Sequence, residues 1–591
     1  MSQLALDKEA LLSVLKPARY IGGERGCARK DLARAAVKVC LAFPDVYEIG
    51  MSHLGLRILY DVINKQSSFA AERTFSPWVD MEALLKSRAI PLFSLESQVP
   101  VKSFDVLGFS LQYELSYSNV LNILALSGIP LRASDRFHGS WPLVIAGGVC
   151  CLNPEPMAPF IDVFVIGEAE EAVLELLRKY DVCKRRKVDK PGILKVLSRI
   201  KGVYVPAFYE KASAGTALQP VVPGAPSRIL KRFVRRLDRA MDFSYWILPY
   251  IEIVHDRLSI EIMRGCPHGC RFCQAYAAFY PLRILKKEKV LSLIRKLYRM
   301  TGYEEISLLS LSSSDHPQLA EIVGALFEEF KDKGVSISLP SLRAKTVVGD
   351  LSQVFSSMRK TTLTFAPEAG SQRLRDILGK ALRLEDIMDS ARQAFASGYK
   401  SLKLYFMIGL PTETEEDLKE IISFCLALSR LKKEFDGHPA RLNVTISNFV
   451  PKPHTPFQRS AACPPFELQA KQAFLKKTLG SARGFIHLKF HDPRMSRVEG
   501  VLARGDRRCA DVIENAFTAG ARFDAWDEHF NPRLWEQALD RAGLRAEDFT
   551  AERSNEEDLP WALIDTGLPA KKSVFLTGEP TKNVDVPRKL C

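Results

Sequence analysis

The sequence lacks any apolar run of the length that a membrane-spanning helix needs. Such a helix takes about 18 or more consecutive apolar residues, and the apolar stretches here are shorter and broken by charges. The N-terminal segment MSQLALDKEALLSVLK contains acidic residues and fits an amphipathic helix better than a secretory signal. We therefore expect a cytoplasmic protein with no membrane span.

Repeats and low-complexity tracts are also lacking, and only one tight group of cysteines occurs. The other members of the twelve cysteines are scattered along the 591 residues. In a reducing compartment scattered cysteines are usually free thiols, whereas a tight group indicates metal. Acidic residues number 69 against 83 lysines and arginines, and the net charge of +14 favours anionic partners, although a merely basic soluble protein fits equally well.

A chain of 591 residues is too long for one hydrophobic core, so several domains are expected. In the first part, short apolar runs alternate with amphipathic helical stretches, which indicates a parallel α/β sheet covered by helices on both faces. We predict a doubly wound, Rossmann-like domain over residues 1–206. Its predicted strands are 35–43, 90–95, 105–111, 142–148 and 162–167.

Three further regions follow. Residues 207–245 combine a Gly/Pro/Ser-rich stretch with the basic run RILKRFVRRLDR and are predicted to be a linker. Residues 246–458 contain six strand–helix repeats, which predict a partial (β/α)6 barrel with its ligands at the C-terminal strand ends. Residues 459–591 are expected to form an α-rich accessory region. The predicted barrel strands are 258–265, 304–312, 335–341, 362–368, 401–409 and 442–450.

The tight cysteine group follows the first predicted barrel strand, in Arg264-Gly-Cys266-Pro-His-Gly-Cys270-Arg-Phe-Cys273. Thiolates at short spacing in a Gly-containing loop suit an iron–sulfur cluster, and three ligands for four irons leave one iron open. A zinc site is the main alternative and would need a fourth ligand, for which His268 is the nearby candidate. Three buried structural cysteines are the remaining interpretation.

This C-x-x-x-C-x-aromatic-C pattern, with Phe272 before the third cysteine, resembles the signature of the radical S-adenosylmethionine (SAM) superfamily, and the resemblance extends over roughly residues 250–460. It implies that Cys266, Cys270 and Cys273 bind a 4Fe–4S cluster whose open iron takes SAM. It also implies that reduction splits SAM into methionine and a 5′-deoxyadenosyl radical, so that an electron donor such as flavodoxin or ferredoxin is expected.

The resemblance implies further SAM contacts at the strand ends. Residues 310–314 stand where the family holds the methionine amine, without its usual Gly-Gly-Glu. In Ala366-Pro-Glu-Ala-Gly-Ser-Gln-Arg373, the ribose contact falls on Glu368 or Ser371 and the carboxylate contact on Arg373, although Glu368 and Ser371 suit helix capping equally well. The predicted SAM contacts are Phe272, Ser312, Ser314, Glu368, Ser371, Arg373 and Gly409.

The first domain resembles cobalamin-binding domains of radical SAM proteins. Asp45-Val-Tyr47-Glu-Ile-Gly50 stands where those domains have D-x-H-x-x-G, with Tyr47 in place of the cobalt-ligating histidine. The resemblance implies cobalamin contacts at Asp45, Tyr47, Gly50, Ser110, Gly147 and Gly148. A vestigial domain, with these glycines serving only tight turns, is the alternative, and His53 is expected to cap a helix or face solvent rather than replace the missing ligand.

Over its length the chain resembles an uncharacterised family of radical SAM proteins with a fused cobalamin-binding domain. The implied function is methylation or rearrangement of an unidentified substrate. RNA modification is a second hypothesis, with the turn 451–457 (PKPHTPF) and the basic segment 228–239 as the phosphate-binding parts. A non-catalytic redox or iron sensor is the third. The terminal Cys591 is expected to be a frayed thiol.

Overall fold

The computed structural model describes residues 6–211, 218–339, 363–482 and 484–568. Cys591 lies outside these residues, as do the last residues of the predicted strand 335–341 and the first of 362–368. None of the helices in the described ranges is long and apolar enough to cross a membrane.

The first domain contains a six-stranded sheet in the order β2-β1-β3-β4-β5-β6, parallel except for β6. This confirms the predicted doubly wound fold. The chain reverses its winding direction between β1 and β3, and ligands of such sheets bind at that switch point, beyond the carboxyl ends of the strands. The strands are β1 (Val37–Phe43), β2 (Phe69–Phe75), β3 (Val106–Ser110), β4 (Leu143–Gly147), β5 (Val163–Val165) and β6 (Val203–Tyr204). The α-helices up to this point are Lys8–Leu12, Tyr47–Ser52, Leu54–Asn64, Val79–Ser87, Tyr117–Leu126, Ala172–Arg185 and Lys190–Leu197.

Two details of this sheet differ from the prediction. The segment 90–95 is not a strand and makes only an isolated bridge between Phe93 and Pro100. The edge strand β2 was not predicted, because its sequence FAAERTF contains two charged residues that are nevertheless buried.

The predicted linker 207–245 contains short strands and contributes buried side chains. Its strands are β7 (Tyr209–Lys211), β8 (Leu218–Pro220) and β9 (Ile229–Leu230), and a helical turn spans Leu237–Ala240. Strand β9 pairs with β19 (Ile564–Asp565) near the end of the described chain, so this segment is fixed to the accessory region.

The barrel region forms two parallel sheets, which confirms its six predicted strands. One has the order β10-β13-β14 and the other β15-β16-β17-β18. The strands of these two sheets are β10 (Leu258–Glu261), β13 (Glu305–Leu309), β14 (Ser336–Ser338), β15 (Leu363–Glu368), β16 (Ser401–Ile408), β17 (Arg441–Asn448) and β18 (Ile486–Phe490). Strands β11 (Met263–Arg264) and β12 (Arg283–Ile284) form a separate antiparallel pair. Strand β18 comes from the segment predicted as accessory, so the sheet continues past residue 458. The α-helices are Gln274–Ala278, Lys287–Thr301, Leu319–Phe330, Gln372–Ile377, Leu384–Ala396, Glu415–Leu431 and Lys433–Asp436.

The accessory region packs against the first domain. Asp524 accepts a hydrogen bond from Ser118 at 2.5 Å, and the Trp526 indole donates to Asp45 at 3.1 Å. The two contacts join residues that are 406 and 481 positions apart. The helices of this region are Pro465–Thr478, Pro493–Arg504, Cys509–Thr518, Pro532–Arg541 and Glu547–Thr550.

Candidate functional site

The cysteine loop turns at two left-handed glycines. Gly265 has φ +92° and Gly269 has φ +61°, a region that residues with a Cβ rarely adopt. A Cβ on Gly265 would lie 2.8 Å from the Phe279 carbonyl oxygen, so a side chain there would prevent the close approach of the two segments. The glycines therefore bend the chain so that successive thiols can share one centre.

The three thiols of this loop are not joined in disulfides and are half-buried. Burial raises the pKa of Cys273, and the negative charges of Cys266 and Glu368 act in the same direction, while the backbone N–H groups of Ala275 and Tyr276 oppose the shift by donating to the sulfur. Cys266 is thus near enough to Cys273 to affect its ionisation. The positive charge of a bound metal centre would offset this repulsion and favour the deprotonated thiols that coordinate metals.

His268, the candidate fourth ligand of a zinc site, is held by an acid. The imidazole Nε2 of His268 is 2.6 Å from the Asp315 carboxylate, which lies after β13. Binding of zinc by this nitrogen would require breaking that contact. The three cysteines are the ligands that the loop retains, and three thiolates suit a 4Fe–4S cluster with one open iron.

Two of the predicted SAM contacts lie at strand ends beside this loop. Glu368 ends β15 with φ +70° and accepts from Lys380 at 3.1 Å, and burial raises its pKa. Gly409 follows β16 with φ +78°, and its N–H donates to Glu413 at 2.9 Å. Phe272 packs against the small apolar cluster that lies at the ends of these strands. Their roles as SAM contacts stay predictions.

The serines and the arginine of the predicted set have partners within the chain. Ser312 donates to Asp315, and Ser314 lies in the same short turn. Ser371 caps the helix Gln372–Ile377 by accepting from the Leu374 N–H at 3.1 Å, as the capping alternative predicts. Arg373 donates to the Thr412 carbonyl at 2.9 Å and also pairs with a carboxylate of the helix Glu415–Leu431. Ser371 and Arg373 therefore have structural roles, whether or not they also contact SAM.

A cavity of about 390 Å³ lies between the first domain and the barrel. Its first wall is formed by the strand ends of β3 and β4 with Ser110, Gly147 and Gly148, and its opposite wall includes Arg264 and Gly265, next to the cysteine loop. The volume is within the range of small-molecule and cofactor sites. A cavity at this switch point of a doubly wound sheet is where a ligand is expected.

Glycines keep the sheet side of this cavity open. A Cβ on Gly147 would find only the Val165 carbonyl oxygen within 4 Å, at 3.6 Å, so the space in front of Gly147 is empty. Gly148 has φ +120°, and a Cβ there would lie 2.2 Å from the Leu111 carbonyl oxygen. Ser110, Gly147 and Gly148 thus line a cavity that larger residues would partly fill, and their contact with a cofactor stays a prediction.

The other predicted cobalamin contacts, Asp45, Tyr47 and Gly50, do not line this cavity, and their contact with a cofactor stays a prediction. The Tyr47 side chain is buried beside a separate small cavity and donates to Glu24 at 2.8 Å. Asp45 accepts from the Trp526 indole, and burial raises its pKa to about 6. Gly50 packs against the Phe75 and Phe43 side chains. The three residues fix the local fold instead.

His53, by contrast, lines the cavity. Its Nδ1 accepts from the Leu56 N–H at 3.2 Å and caps the helix Leu54–Asn64, in agreement with the capping prediction. Burial lowers the pKa of His53 to about 4, so the ring is neutral near pH 7 and its proton must be on Nε2. A metal ligand needs an unprotonated nitrogen, so His53 offers a hydrogen-bond donor to the cavity rather than a lone pair.

A buried ion network joins the two walls of the cavity. Arg264, two residues before Cys266, pairs with Glu170 at 2.6 Å and Glu168 at 3.1 Å from the first domain. It also pairs with Glu261 of β10 at 2.8 Å, and Arg283 pairs with Glu168 at 2.6 Å. Burial alone would raise the pKa of Glu168, but the two guanidinium groups outweigh it and keep the pKa below its usual value. The network fixes the start of the cysteine loop to the first domain.

Two family models match the chain. One, described as radical SAM proteins, N-terminal, matches residues 55–206, and the other, described as the radical SAM superfamily, matches residues 260–425. Together they cover more than half of the 591 residues. The chain belongs to the radical SAM superfamily. It is an enzyme of that superfamily and uses a 4Fe–4S cluster and SAM.

This radical SAM enzyme has relatives of differing coverage. It is 28% identical over 483 residues to the uncharacterized protein MJ0966 of Methanocaldococcus jannaschii, a match covering 80% of this chain and 90% of that protein. It is 24% identical over 311 residues to the anaerobic magnesium-protoporphyrin IX monomethyl ester cyclase of Cereibacter sphaeroides, covering 51% and 44% of the two chains. The structure of the cobalamin-dependent SAM radical enzyme OxsB with aqua-cobalamin bound aligns with a TM-score of 0.48 at 13% identity, over 86% of this chain and 71% of that one.

Sequence reasoning missed the ion network of this radical SAM enzyme. Glu168 and Glu170 follow β5, and their partner Arg264 is 94 residues beyond Glu170. The only signal in the sequence was the presence of acidic residues directly after a buried strand and of basic residues around the cysteine loop. That signal does not identify which pairs form.

Proposed function

We propose that this radical SAM enzyme binds cobalamin in the central cavity and methylates or rearranges an unidentified substrate. The observation that carries the proposal is the position of the cavity, which has glycine-lined strand ends on one side and the start of the cysteine loop on the other. When bound, the cluster supplies the electron that cleaves SAM into methionine and a 5′-deoxyadenosyl radical, and cobalamin supplies a carrier for a methyl group.

In this proposal the chain holds the cluster through Cys266, Cys270 and Cys273. The left-handed Gly265 and Gly269 set the loop, and the network around Arg264 holds its first residue in place. Glu368 and Gly409, at the neighbouring strand ends, would contact SAM. These fixed elements orient the reactants, which is the main contribution a protein makes when cofactors carry the chemistry.

The cavity walls would hold cobalamin without ligating its metal. Tyr47 is turned away and bonded to Glu24, and His53 presents an N–H. Ser110 at the end of β3 adds a hydroxyl, and apolar residues such as Ile58 and Phe109 supply most of the remaining wall. Such a wall excludes water and binds a large, flat molecule through apolar contact with a few hydrogen bonds.

SAM cleavage is tested first. The cluster is reconstituted without oxygen, SAM and dithionite are added, and 5′-deoxyadenosine is quantified for the wild type and for Cys270→Ala. We expect product from the wild type only. A cluster-containing wild type that makes no product would support the sensor hypothesis, and a chain that assembles no cluster would refute the assignment of the three cysteines.

Cobalamin binding is tested with a variant that fills the cavity. Gly147→Leu adds a side chain to empty space without a left-handed backbone, and Gly324→Leu, on the helix Leu319–Phe330 with nothing within 4 Å, is the matched control. After incubation with hydroxocobalamin and gel filtration, we expect cobalamin to co-elute with the wild type and the control but not with Gly147→Leu. Equal retention by all three proteins would show that cobalamin does not occupy this cavity.

The RNA hypothesis has less support from the basic segment 228–239. Arg232 pairs with Glu175 at 2.6 Å, and Arg236 pairs with Asp238 at 2.8 Å. Lys231 is buried and donates to the Ala278 and Tyr280 carbonyls. Because these cations have intramolecular partners, binding phosphates would require breaking those contacts.

A further inference from the structure

The sheet β15-β16-β17-β18 has one apolar face and one polar face. Its apolar face, which includes Leu404 and Val444, is buried in a core with the helices Leu384–Ala396, Glu415–Leu431 and Pro465–Thr478. The alternating residues point to the opposite side, away from those helices, and therefore toward the interior of the barrel. We call these residues the inner polar face: Lys403, Tyr405, Asn443, Thr445, His487 and Lys489.

The parallel register places the members of the inner polar face in two adjacent rows. Lys403 is paired with Asn443, and Asn443 with His487. In the next row Tyr405 is paired with Thr445, and Thr445 with Lys489. Neighbouring strands are about 4.8 Å apart and rows about 6.6 Å apart, so the Cα atoms of Lys403 and Lys489 are roughly 12 Å apart. Two lysine side chains at that distance can reach one ligand from both ends.

The inner polar face has unused capacity for hydrogen bonds and charge. Within the described part of the chain, none of its side chains makes a hydrogen bond or an ion pair, and Lys403 only lies 5.1 Å from the centre of the Tyr405 ring. The one carboxylate of this side of the sheet is Glu368, which Lys380 already pairs. All six side chains are half-buried or exposed, so they are accessible to a ligand.

The segment that precedes β15 does not carry the charge that would neutralise this face. Residues 340–362, which precede β15, carry Arg343, Lys345, Arg359 and Lys360 against the single acid Asp350. A segment with that balance would repel the two lysines. The complementary occupant is an anion from outside the chain.

We propose that the inner polar face binds the carboxylate or phosphate group of a small-molecule substrate. Lys403 and Lys489 would pair with the anion, while Tyr405, Asn443 and Thr445 would donate hydrogen bonds. Gly409 lies four residues beyond Tyr405, about 13 Å along the strand, so a substrate anchored here extends to the strand ends. That the bound anion belongs to a substrate rests on the proposed function, whereas the anion site itself does not.

Binding of anions by the full-length protein tests this inference. Isothermal titration calorimetry with inorganic pyrophosphate and with citrate distinguishes phosphate from carboxylate, and fluorescence anisotropy with a single-stranded RNA oligonucleotide tests a polynucleotide. The test variant is Lys403→Gln/Lys489→Gln. The matched control, Lys433→Gln/Lys477→Gln, removes the same charge from exposed positions of two outer helices.

We expect at least one small anion to bind, with affinity lowered about tenfold or more in the test variant, since charge-assisted hydrogen bonds are lost, and changed less than about twofold in the control. Lys403→Arg/Lys489→Arg keeps the charge and should bind like the wild type, which separates a lost site from a misfolded protein. Absence of small-anion binding by the wild type, equal losses in test and control, or binding of RNA alone would each overturn the proposal. Because these assays require no SAM cleavage, their outcome is independent of the 5′-deoxyadenosine assay.

Discussion

Removing Arg264 should loosen the cysteine loop far more than removing one of its partners. The network consists of three carboxylates and two guanidinium groups, and every ion pair in it is 3.1 Å or shorter. Arg264→Met leaves Glu168, Glu170 and Glu261 with a single guanidinium, that of Arg283. Glu170→Gln leaves two carboxylates and two guanidinium groups, so the remaining charges balance.

The expected changes in the opening free energy of the loop follow from the numbers of carboxylates and guanidinium groups left in each variant. Leaving buried charges uncompensated costs about 3–5 kcal/mol, so Arg264→Met should lower the opening free energy of the loop by that amount. Glu170→Gln exchanges one charge-assisted hydrogen bond for a neutral one and should cost about 1–2 kcal/mol. Glu329→Gln is the control, because it breaks a half-exposed pair with Arg295 that lies outside this network and, like most surface ion pairs, should contribute little to stability.

Amide hydrogen exchange of the cluster-free protein measures this opening locally, whereas a global unfolding curve of several domains does not give one free energy. In peptides spanning residues 261–273 we expect exchange to accelerate at least about a hundredfold in Arg264→Met and about tenfold in Glu170→Gln. The Glu329→Gln control should leave these peptides unchanged. Equal acceleration in the two test variants, or a larger effect of Glu170→Gln, would refute the charge-balance argument.

Three further predictions concern the loop glycine, the inter-domain lysine and a buried histidine. Gly265→Ala should abolish cluster assembly, measured as iron and sulfide per chain. The control Gly302→Ala should retain the cluster, because the backbone of Gly302 is also left-handed but an added Cβ there would have nothing within 4 Å. Similar iron contents in the two variants would mean that crowding at Gly265 is unimportant. Burial alone would lower the pKa of Lys452, but its ion pairs at 2.8 Å with Glu114 of the first domain and Glu499 of the accessory region raise it. Lys452→Met should lower the free energy of separating these regions by about 3–5 kcal/mol and accelerate limited proteolysis between them. Unchanged proteolysis would contradict a stabilising role for the pair. Burial lowers the pKa of His454 from 6.5 to about 4, so the stability it contributes is complete above pH 6.5 and is lost as the pH falls toward 4. His454→Gln should therefore flatten the dependence of the melting temperature on pH within that window, and an unchanged slope would assign it to other groups.

The parts of the fold that follow from local pattern were predictable, and those that depend on distant partners were not. The run Val37–Phe43 is apolar except for Lys38 and predicts a buried strand. In β2, by contrast, Arg73 looks like a surface residue, yet it is buried between Glu24 at 2.8 Å and Glu96 at 2.7 Å. Glu24 precedes the strand and Glu96 follows it, each more than twenty residues from Arg73, and no regular spacing links the three positions. Segment 90–95 is apolar because it is buried, not because it belongs to the sheet.

The candidate site shows the same division. The spacing of Cys266, Cys270 and Cys273 within one loop identifies their chemistry, because all the information is local. The sequence pattern around Tyr47 does not give the direction of its side chain, which the structure places against Glu24. Gly147 was singled out as a strand-end glycine, and the structure shows the empty space in front of it. The inner polar face was not predicted, since its rows depend on the register of three strands.

The contacts between the first domain and the accessory region constrain how this protein is made. The hydrogen bond between Ser118 and Asp524 spans 406 positions, and ribosomes add about 5–20 residues per second. The nascent first domain therefore waits roughly 20–80 s for its partner surface. During that interval the face that the late helices will cover is open to water and to other chains. Truncated or stalled translation products should accordingly be trapped by chaperones or aggregate, and the mature interface forms only after Asp524 has emerged from the ribosome.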